Sequence, residues 1–260
     1  MFSLREMVAS GKSRPMLYVQ YGAGFSNAPG WISYDSSPTL RIQKVPIAGR
    51  SLARRTGIAE LFPEGVTYGD VLKGLPVADE SVAGLYASHV LEHLSLDDMR
   101  RALAESLRVL QPGGTFRLVV PDLKERARRY VESDASDAAH AFMRATYLGH
   151  EARSRTIMGR LRALIGNSMH LWMYDYPAMA AELDRAGFTG IRRAELGDAA
   201  DPMFARLEDP HAFENDGIAE VAIECRKPGA ETSLDRQPIR QPTPSQNTGI
   251  PFVPPPTTTS

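Results

Sequence analysis

The chain has 260 residues, of which 43% are hydrophobic, and its 30 basic and 31 acidic residues leave a formal net charge of -1. This length supports one main hydrophobic core. The near-neutral charge argues against a general nucleic-acid or membrane-surface binder. No window approaches the roughly 20 apolar residues of a membrane span, and the start, MFSLREMVASGKSR, has no apolar block of signal-peptide length. We therefore expect a cytoplasmic protein that does not insert into membranes.

Cys225 is the single cysteine of the chain. It excludes an internal disulfide and any Cys-rich zinc site, and its alternating apolar surroundings are typical of a buried thiol. We expect no metal ion.

The end of the chain differs in composition from the rest. Residues 227–260 hold 8 of the 19 prolines, a TTT run and few large apolar side chains. Such a segment does not offset the entropy of ordering, which predicts a disordered tail after a single domain over residues 1–226. Proline-rich extended segments also suit docking of a protein partner.

Short apolar runs alternate with helical patterns along the domain. The runs predicted as strands are MLYVQY (16–21), GWISYD (30–35), VTYGD (66–70), VAGLYAS (82–88) and TFRLVV (115–120). The spacing of Met99, Leu103, Leu107 and Leu110 predicts a helix over 96–110, which a capping box of Ser95 and Asp98 begins. A second helix is predicted over 177–187, before closing strands in TGIRRAEL and IAEVAIECR. This order indicates a doubly wound α/β sheet, which binds ligands beyond the carboxyl ends of its strands.

Glycines and acids stand at the predicted strand ends. Gly22 and Gly24 follow the first strand, where a bare backbone allows close approach of a ligand, and Asp35 ends the second strand, where a carboxylate suits ribose hydroxyls. Asp70 closes the third strand, where it suits an exocyclic amine such as that of adenine. A dinucleotide fingerprint needs a further glycine where Asn27 stands, so NAD is disfavoured.

The stretch ASHVLEHLSLDDMRRALAESLRVLQPGGTFRLVVPDL (87–123) carries a family resemblance, supported by HLWMYDYPAMAAELDRAGF (170–188). Over residues 16–226 the chain resembles class I S-adenosylmethionine-dependent methyltransferases, of the small bacterial kind found beside glycan-synthesis enzymes. The resemblance implies a Rossmann-like, mostly parallel seven-stranded sheet with a helical insertion after the fifth strand. It implies S-adenosylmethionine as cofactor and a small-molecule or glycan-linked methyl acceptor.

The resemblance also implies roles for individual residues. Gly22 and Gly24 would contact the methionine part of the cofactor, and Asp35 would bind the ribose. Asp70 and Val71 would contact the adenine. Ser88 and His89 would lie near the sulfonium. The chain departs from the family in its first connection, because only Gly22–Gly30 separate the first two strands, fewer than a crossover with a helix needs. Either the first helix is reduced to a turn or the second strand begins later.

A hydroxyl acceptor would need a general base. The candidates are His89, His93, Asp122 and His170, although each histidine also suits a structural role. Trp172 and Tyr174 are predicted to wall an acceptor pocket, with a core position as the alternative for Trp172.

Residues 123–167 form the predicted helical insertion, with nine Lys/Arg against five Asp/Glu. Arg153, Arg155, Arg160 and Arg162 have no acid among them. They favour either a lid over an anionic acceptor, such as a phosphorylated glycan, or a solvated helix face.

Two classes of function therefore stay open. The first is an active methyltransferase, and the second is a non-catalytic member of the fold that serves as a binding or scaffold module. A nicotinamide oxidoreductase is a distant third.

Overall fold

The computed structural model describes residues 16–47, 49–51, 61–149, 151 and 169–229. The strands in this part are β1 (Leu17–Tyr21), β2 (Trp31–Asp35), β3 (Val66–Tyr68), β4 (Val82–Ser88), β5 (Leu110–Val120), β6 (Thr189–Arg193), β7 (Glu214–Asn215), β8 (Ile218–Ala219) and β9 (Val221–Arg226). The α-helices are α1 (Pro38–Gln43), α2 (Leu96–Val109), α3 (Leu123–Val131), α4 (Ala138–Ala145), α5 (Tyr176–Ala186) and α6 (Pro210–Phe213), and 3-10 turns span Leu91–His93 and Phe204–Arg206.

The main sheet of the described chain has seven strands in the order β3-β2-β1-β4-β5-β9-β6. Strands β1 to β5 pair in parallel, and β9 runs antiparallel between β5 and β6. The order reverses between β1 and β4, the kind of switch point at which open α/β sheets bind ligands. The predicted doubly wound, mostly parallel seven-stranded sheet is confirmed.

The connection from β1 to β2 contains only turns. Tyr18 pairs with Trp31 and Tyr21 with Tyr34, so β2 begins where the sequence places it. Of the two alternatives for this connection, the first is therefore correct: the crossover helix is reduced to a turn over residues 22–30. The third strand is shorter than predicted, because it ends at Tyr68 and leaves Asp70 in an isolated bridge with Gly74.

The two predicted helices are confirmed with their caps. The Ser95 hydroxyl accepts a hydrogen bond from the Asp98 amide at the start of α2, and Met99 and Leu103 are buried on its inner face. Helix α5 ends at Gly187, whose φ of 104° is left-handed and favours glycine.

Both faces of the sheet are covered. The larger core joins one face of the strands to α2 and α5, with Leu85, Leu103 and Leu183 fully buried. Trp31 and Phe204 lie in a second, smaller aromatic cluster with Tyr18 and Tyr86 of the sheet. Because neighbouring residues of a strand face opposite sides, Leu85 and Tyr86 belong to different cores.

A buried arginine of β5 forms ion pairs with three carboxylates. Arg117 is 1% exposed and pairs with Asp198, Glu208 and Glu224 at 2.9, 2.5 and 2.8 Å. Burial lowers the pKa of Arg117, but the three carboxylates outweigh it and the net shift is upward. The guanidinium is thus a structural charge of the core.

The insertion after β5 begins with α3 and α4. Arg126 of α3 makes a two-pronged ion pair with Glu220, at 2.8 and 2.6 Å, and both side chains are buried. Arg153, Arg155, Arg160, Arg162 and the predicted tail from residue 230 lie outside the described residues, so the domain boundary and the tail stay predictions. Among the described helices, none has the length and hydropathy of a membrane span.

Candidate functional site

The turn after β1 and the end of β2 are joined directly. Gly22 and Gly24 both adopt positive φ, 64° and 51°. The Gly24 amide donates to Asp35 Oδ2 at 2.9 Å, and the Ser37 amide donates to Oδ1 at 2.7 Å. Each carboxylate oxygen keeps a second lone pair, so Asp35 shapes the turn and still has acceptor capacity for ligand hydroxyls.

Gly22 also lies against the segment that follows β4. A Cβ atom at this position would overlap Cγ2 of Val90, whereas a Cβ atom at Gly24 would meet open space. Gly22 is therefore required by packing as well as by backbone conformation, and Gly24 leaves room beside the turn.

The end of β3 brings Asp70 and Val71 to the same edge of the sheet. Asp70 Oδ1 accepts from the Leu72 amide at 3.0 Å, and Oδ2 lies 2.8 Å from Lys73 Nζ. Val71 is 9% exposed. Asp70 thus fixes its own turn and carries a lysine partner that the sequence reasoning did not anticipate.

Ser88 ends β4, and His89 follows it. The Ser88 hydroxyl is buried and has no hydrogen-bond partner among the described residues. His89 has a φ of 53°, a strained conformation for a residue with a side chain. Its Nε2 atom lies 2.9 Å from the Ala212 carbonyl, and since a carbonyl only accepts, Nε2 carries the proton.

The 3-10 turn over Leu91–His93 carries a buried carboxylate. Glu92 is fully buried, and its Oε1 atom lies 3.3 Å from His89 Nδ1. Burial lowers the pKa of His89, but contact with this carboxylate outweighs it and the net shift is upward. The contact with Glu92 therefore stabilises the protonated form of His89.

His170 lies beside this turn. The Leu171 and Trp172 amides donate to the Glu92 carbonyl at 2.8 and 3.2 Å, and the ring of His170 crosses that of His93 with centroids 4.9 Å apart. Burial, with a smaller effect of His93, lowers the pKa of His170 despite the opposing charge of Glu92. The Nδ1 atom is buried and has no partner in the described chain.

Asp122 caps a helix. Its side chain accepts from the Glu125 amide at 3.1 Å at the start of α3, and its own amide donates to Glu220. The spacing of Asp122 and Glu125 is that of a capping box, a signal present in the sequence. A structural role thus accounts for Asp122, and its catalytic role stays a prediction.

The two aromatic residues predicted to wall an acceptor pocket differ in exposure. Trp172 is 48% exposed, which differs from the core position considered for it, whereas Tyr174 is 1% exposed and packs in the main core. Tyr174 therefore lies inside the core, and a place in a pocket wall stays a prediction for Trp172. Arg153 and Arg155 are outside the described residues.

Sequence reasoning missed Glu92 and assigned no metal. The structure brings Glu92, His93 and His170 together, with one ligand-type atom of each within 4.8 Å of the others. The neighbouring Glu92 and His93 are visible in the sequence, but His170 joins them only through the fold.

Comparison with known proteins adds a partial family match. A model described as a methyltransferase domain matches residues 47–118, less than a third of the chain. Curated proteins give no match. Similar solved structures include a SAM-dependent methyltransferase from Methanosarcina mazei, with 14% identity, coverage of 88% of this chain and 100% of that chain, and a TM-score of 0.44. Another from Thermotoga maritima has 16% identity, coverage of 86% and 87%, and a TM-score of 0.42. Over residues 47–118 the chain is therefore similar to methyltransferase domains.

Proposed function

We propose that the protein transfers a methyl group from S-adenosylmethionine to a small-molecule or glycan-linked acceptor. One observation carries the proposal: the open glycine turn after β1 is tied to Asp35 of the neighbouring strand at the switch point of the sheet. The methyltransferase-domain match over residues 47–118 supports the same reading from an adjoining part of the chain.

The residues present fit this cofactor. Gly24 leaves space beside the turn, and Asp35 keeps lone pairs for two ribose hydroxyls. Ser88 offers a buried hydroxyl that lacks a partner in the described chain. Asp70 and Val71 stand at the next strand end, where an adenine would lie. These contacts suit a nucleoside carrying an amino-acid tail.

When bound, the cofactor supplies an electrophilic methyl group on a sulfonium, and the displacement removes that positive charge. The contribution of the chain is then mainly to hold donor and acceptor in line and to exclude water. Gly22, packed on Val90, and Asp35, bonded to two backbone amides, fix the donor side.

Three of the four predicted base residues differ in what they offer. Contact with Glu92 raises the pKa of His89, and one carboxylate oxygen of Asp122 caps a helix. His170 Nδ1 is buried, unpartnered among the described residues and in a ring whose pKa is lowered. His170 therefore offers a lone pair to a proton or to a ligand.

The proposed chemical class of the methyl acceptor depends on the arginines of the insertion over residues 123–167. Arg153, Arg155 and Arg160 suit a phosphate or carboxylate group, because guanidinium donors match such anions in pairs. Replacing all three with alanine is expected to weaken binding of phosphorylated sugars. Binding that does not change in the triple variant would leave these arginines as a solvated helix face.

Calorimetric titration with S-adenosylhomocysteine tests the cofactor. Loss of hydrogen bonds to a charged group costs about 1.5–3 kcal/mol, so Asp35→Ala should weaken binding by roughly 10- to 150-fold. Asp97→Ala removes the same charge at an exposed position of α2 and should leave affinity unchanged. Absence of binding at millimolar concentration would rule out the enzyme, and equal affinity of wild type and Asp35→Ala would rule out this placement.

The scaffold alternative is favoured by one feature, the missing helix between β1 and β2. A helix amino terminus would otherwise direct its N–H groups at the ligand. Incubation of cell extract with cofactor labelled in the methyl group separates the two functions. An enzyme transfers label to an extract fraction, whereas a binding module retains affinity for the cofactor and transfers nothing.

A further inference from the structure

A carboxylate and two imidazoles meet at the carboxyl edge of the sheet. Glu92 and His93 lie in the 3-10 turn after β4, and His170 lies in the strand-like segment tied to that turn by two amide hydrogen bonds. One ligand-type atom from each lies within 4.8 Å of the others. The set of two nitrogens and one oxygen is one that Zn²⁺ and Fe²⁺ accept.

Glu92 is a buried carboxylate with few polar partners. The side chain is 0% exposed, and neither carboxylate oxygen has a hydrogen bond from the described residues. The contact with His89 Nδ1, at 3.3 Å, engages only Oε1. A buried carboxylate normally has its oxygens paired or bound to a metal, so the remaining lone pairs of Glu92 suit a cation.

The two histidines are oriented as ligands. His93 Nδ1 lies 3.0 Å from the Met169 carbonyl, so Nδ1 carries the proton and Nε2 the lone pair. The Nδ1 atom of His170 is buried and has no partner in the described chain, so it is open to a ligand. Donation of the second ring nitrogen to a backbone carbonyl is the usual support of a metal-binding histidine.

We propose that Glu92, His93 and His170 bind one divalent transition-metal ion of the type that prefers imidazole, represented by Zn²⁺. Metal–ligand bonds of about 2.0–2.1 Å put tetrahedral ligand atoms about 3.4 Å apart, so the three atoms close in by up to about 1.4 Å on binding. Rotation of the imidazoles supplies this movement. Three protein ligands leave the fourth position open for water or an oxygen of a ligand, as in catalytic rather than structural zinc sites.

The site is independent of the cofactor turn. Its ligands come from the segments after β4 and before α5, and none of them contacts Gly24 or Asp35 through a hydrogen bond that the structure records. Metal binding is therefore measured without S-adenosylmethionine, and its result does not depend on methyl transfer.

Titration calorimetry of untagged, chelator-treated full-length protein with ZnCl₂ tests the proposal. We expect one ion per chain in the wild type. Glu92→Gln, which keeps the shape of the side chain, and His93→Ala with His170→Ala should each weaken binding by at least about 10-fold, since even supporting residues contribute this much. A His140→Ala/His211→Ala variant loses the same number of imidazoles at exposed positions and should bind as the wild type does.

Co²⁺ absorption and thermal unfolding give second readouts. Bound Co²⁺ should give a visible spectrum in the wild type and in the exposed-histidine control but not in Glu92→Gln, and Zn²⁺ should raise only the melting temperatures of the first two. Two results would overturn the site: no stoichiometric binding by wild type, or equal binding by folded Glu92→Gln. If His93→Ala/His170→Ala fails to fold, the comparison of Glu92→Gln with wild type decides alone.

Discussion

The packing of Gly22 on Val90 allows a quantitative test of the cofactor turn. In Gly22→Ala the new methyl group must tolerate a φ of 64° and overlaps Cγ2 of Val90. The left-handed conformation costs about 1–2 kcal/mol for alanine. Overpacking in a well-packed region costs about 1–3 kcal/mol more. The free energy of unfolding should therefore fall by about 2–5 kcal/mol.

Gly24→Ala is the matched control. Its φ of 51° imposes the same kind of backbone strain, but the added Cβ atom meets nothing within 4 Å. Its free energy of unfolding should fall by only about 1–2 kcal/mol. Val90→Ala in the Gly22→Ala background removes both γ carbons, so the double variant should recover the overpacking part, about 1–3 kcal/mol, as a coupling energy.

Urea unfolding of the wild type, the three single variants (Gly22→Ala, Gly24→Ala and Val90→Ala) and the double variant measures these free energies. Calorimetric titration with S-adenosylhomocysteine measures whether the altered turn still binds the cofactor product. Equal destabilisation by Gly22→Ala and Gly24→Ala, or a coupling energy near zero with Val90→Ala, would refute the packing argument. The two glycines would then differ only in their place along the turn.

Two further predictions concern ion pairs. Arg117→Met should lower the free energy of unfolding, measured in urea at pH 7, by about 3–5 kcal/mol, because it leaves Glu208 buried without a cation and Glu224 with Arg192 alone. A loss below 1 kcal/mol would mean that water reaches these acids. Bonds from Arg100, chiefly, lower the pKa of Glu182 from 4.5 to about 2, against a smaller opposing effect of burial. Because the folded-state pKa is lowered, this stabilisation is complete above pH 4.5 and is lost as the pH falls towards 2. With solvent screening we expect Glu182→Gln to cost about 0.5–1 kcal/mol at pH 7 and nothing near pH 2, as measured by urea unfolding at both pH values.

Local signals in the sequence were sufficient for most of the fold. Ser95 with Asp98 begins α2, and Gly187 ends α5, because capping depends on residues within one turn. The near-continuous burial of β1 and β4 follows from helices and loops on both faces of the sheet and is visible as apolar runs. The short β1–β2 connection left two alternatives, a missing helix or a later start of β2. The pairing of Tyr18 with Trp31 shows that the helix is missing.

Long-range contacts account for what the sequence did not predict. Glu92 and His170 are far apart in the chain, and the amides of Leu171 and Trp172 bring them together at the Glu92 carbonyl. No local pattern marks such a contact. Tyr174 illustrates the same limit, because an aromatic residue suits a pocket wall and a core equally well, and only its 1% exposure separates the two.

The ion pair between Arg126 and Glu220 limits how the insertion can be exchanged. Glu220 also accepts a hydrogen bond from the Asp122 amide. One buried carboxylate therefore binds both the residue before α3 and the Arg126 side chain from the middle of α3. If residues 123–149 are replaced by a segment from another protein, that segment must therefore carry an arginine at the position of Arg126. Without this arginine, the same design must replace Glu220 with an apolar residue. A buried carboxylate without its cation would strongly destabilise the whole domain.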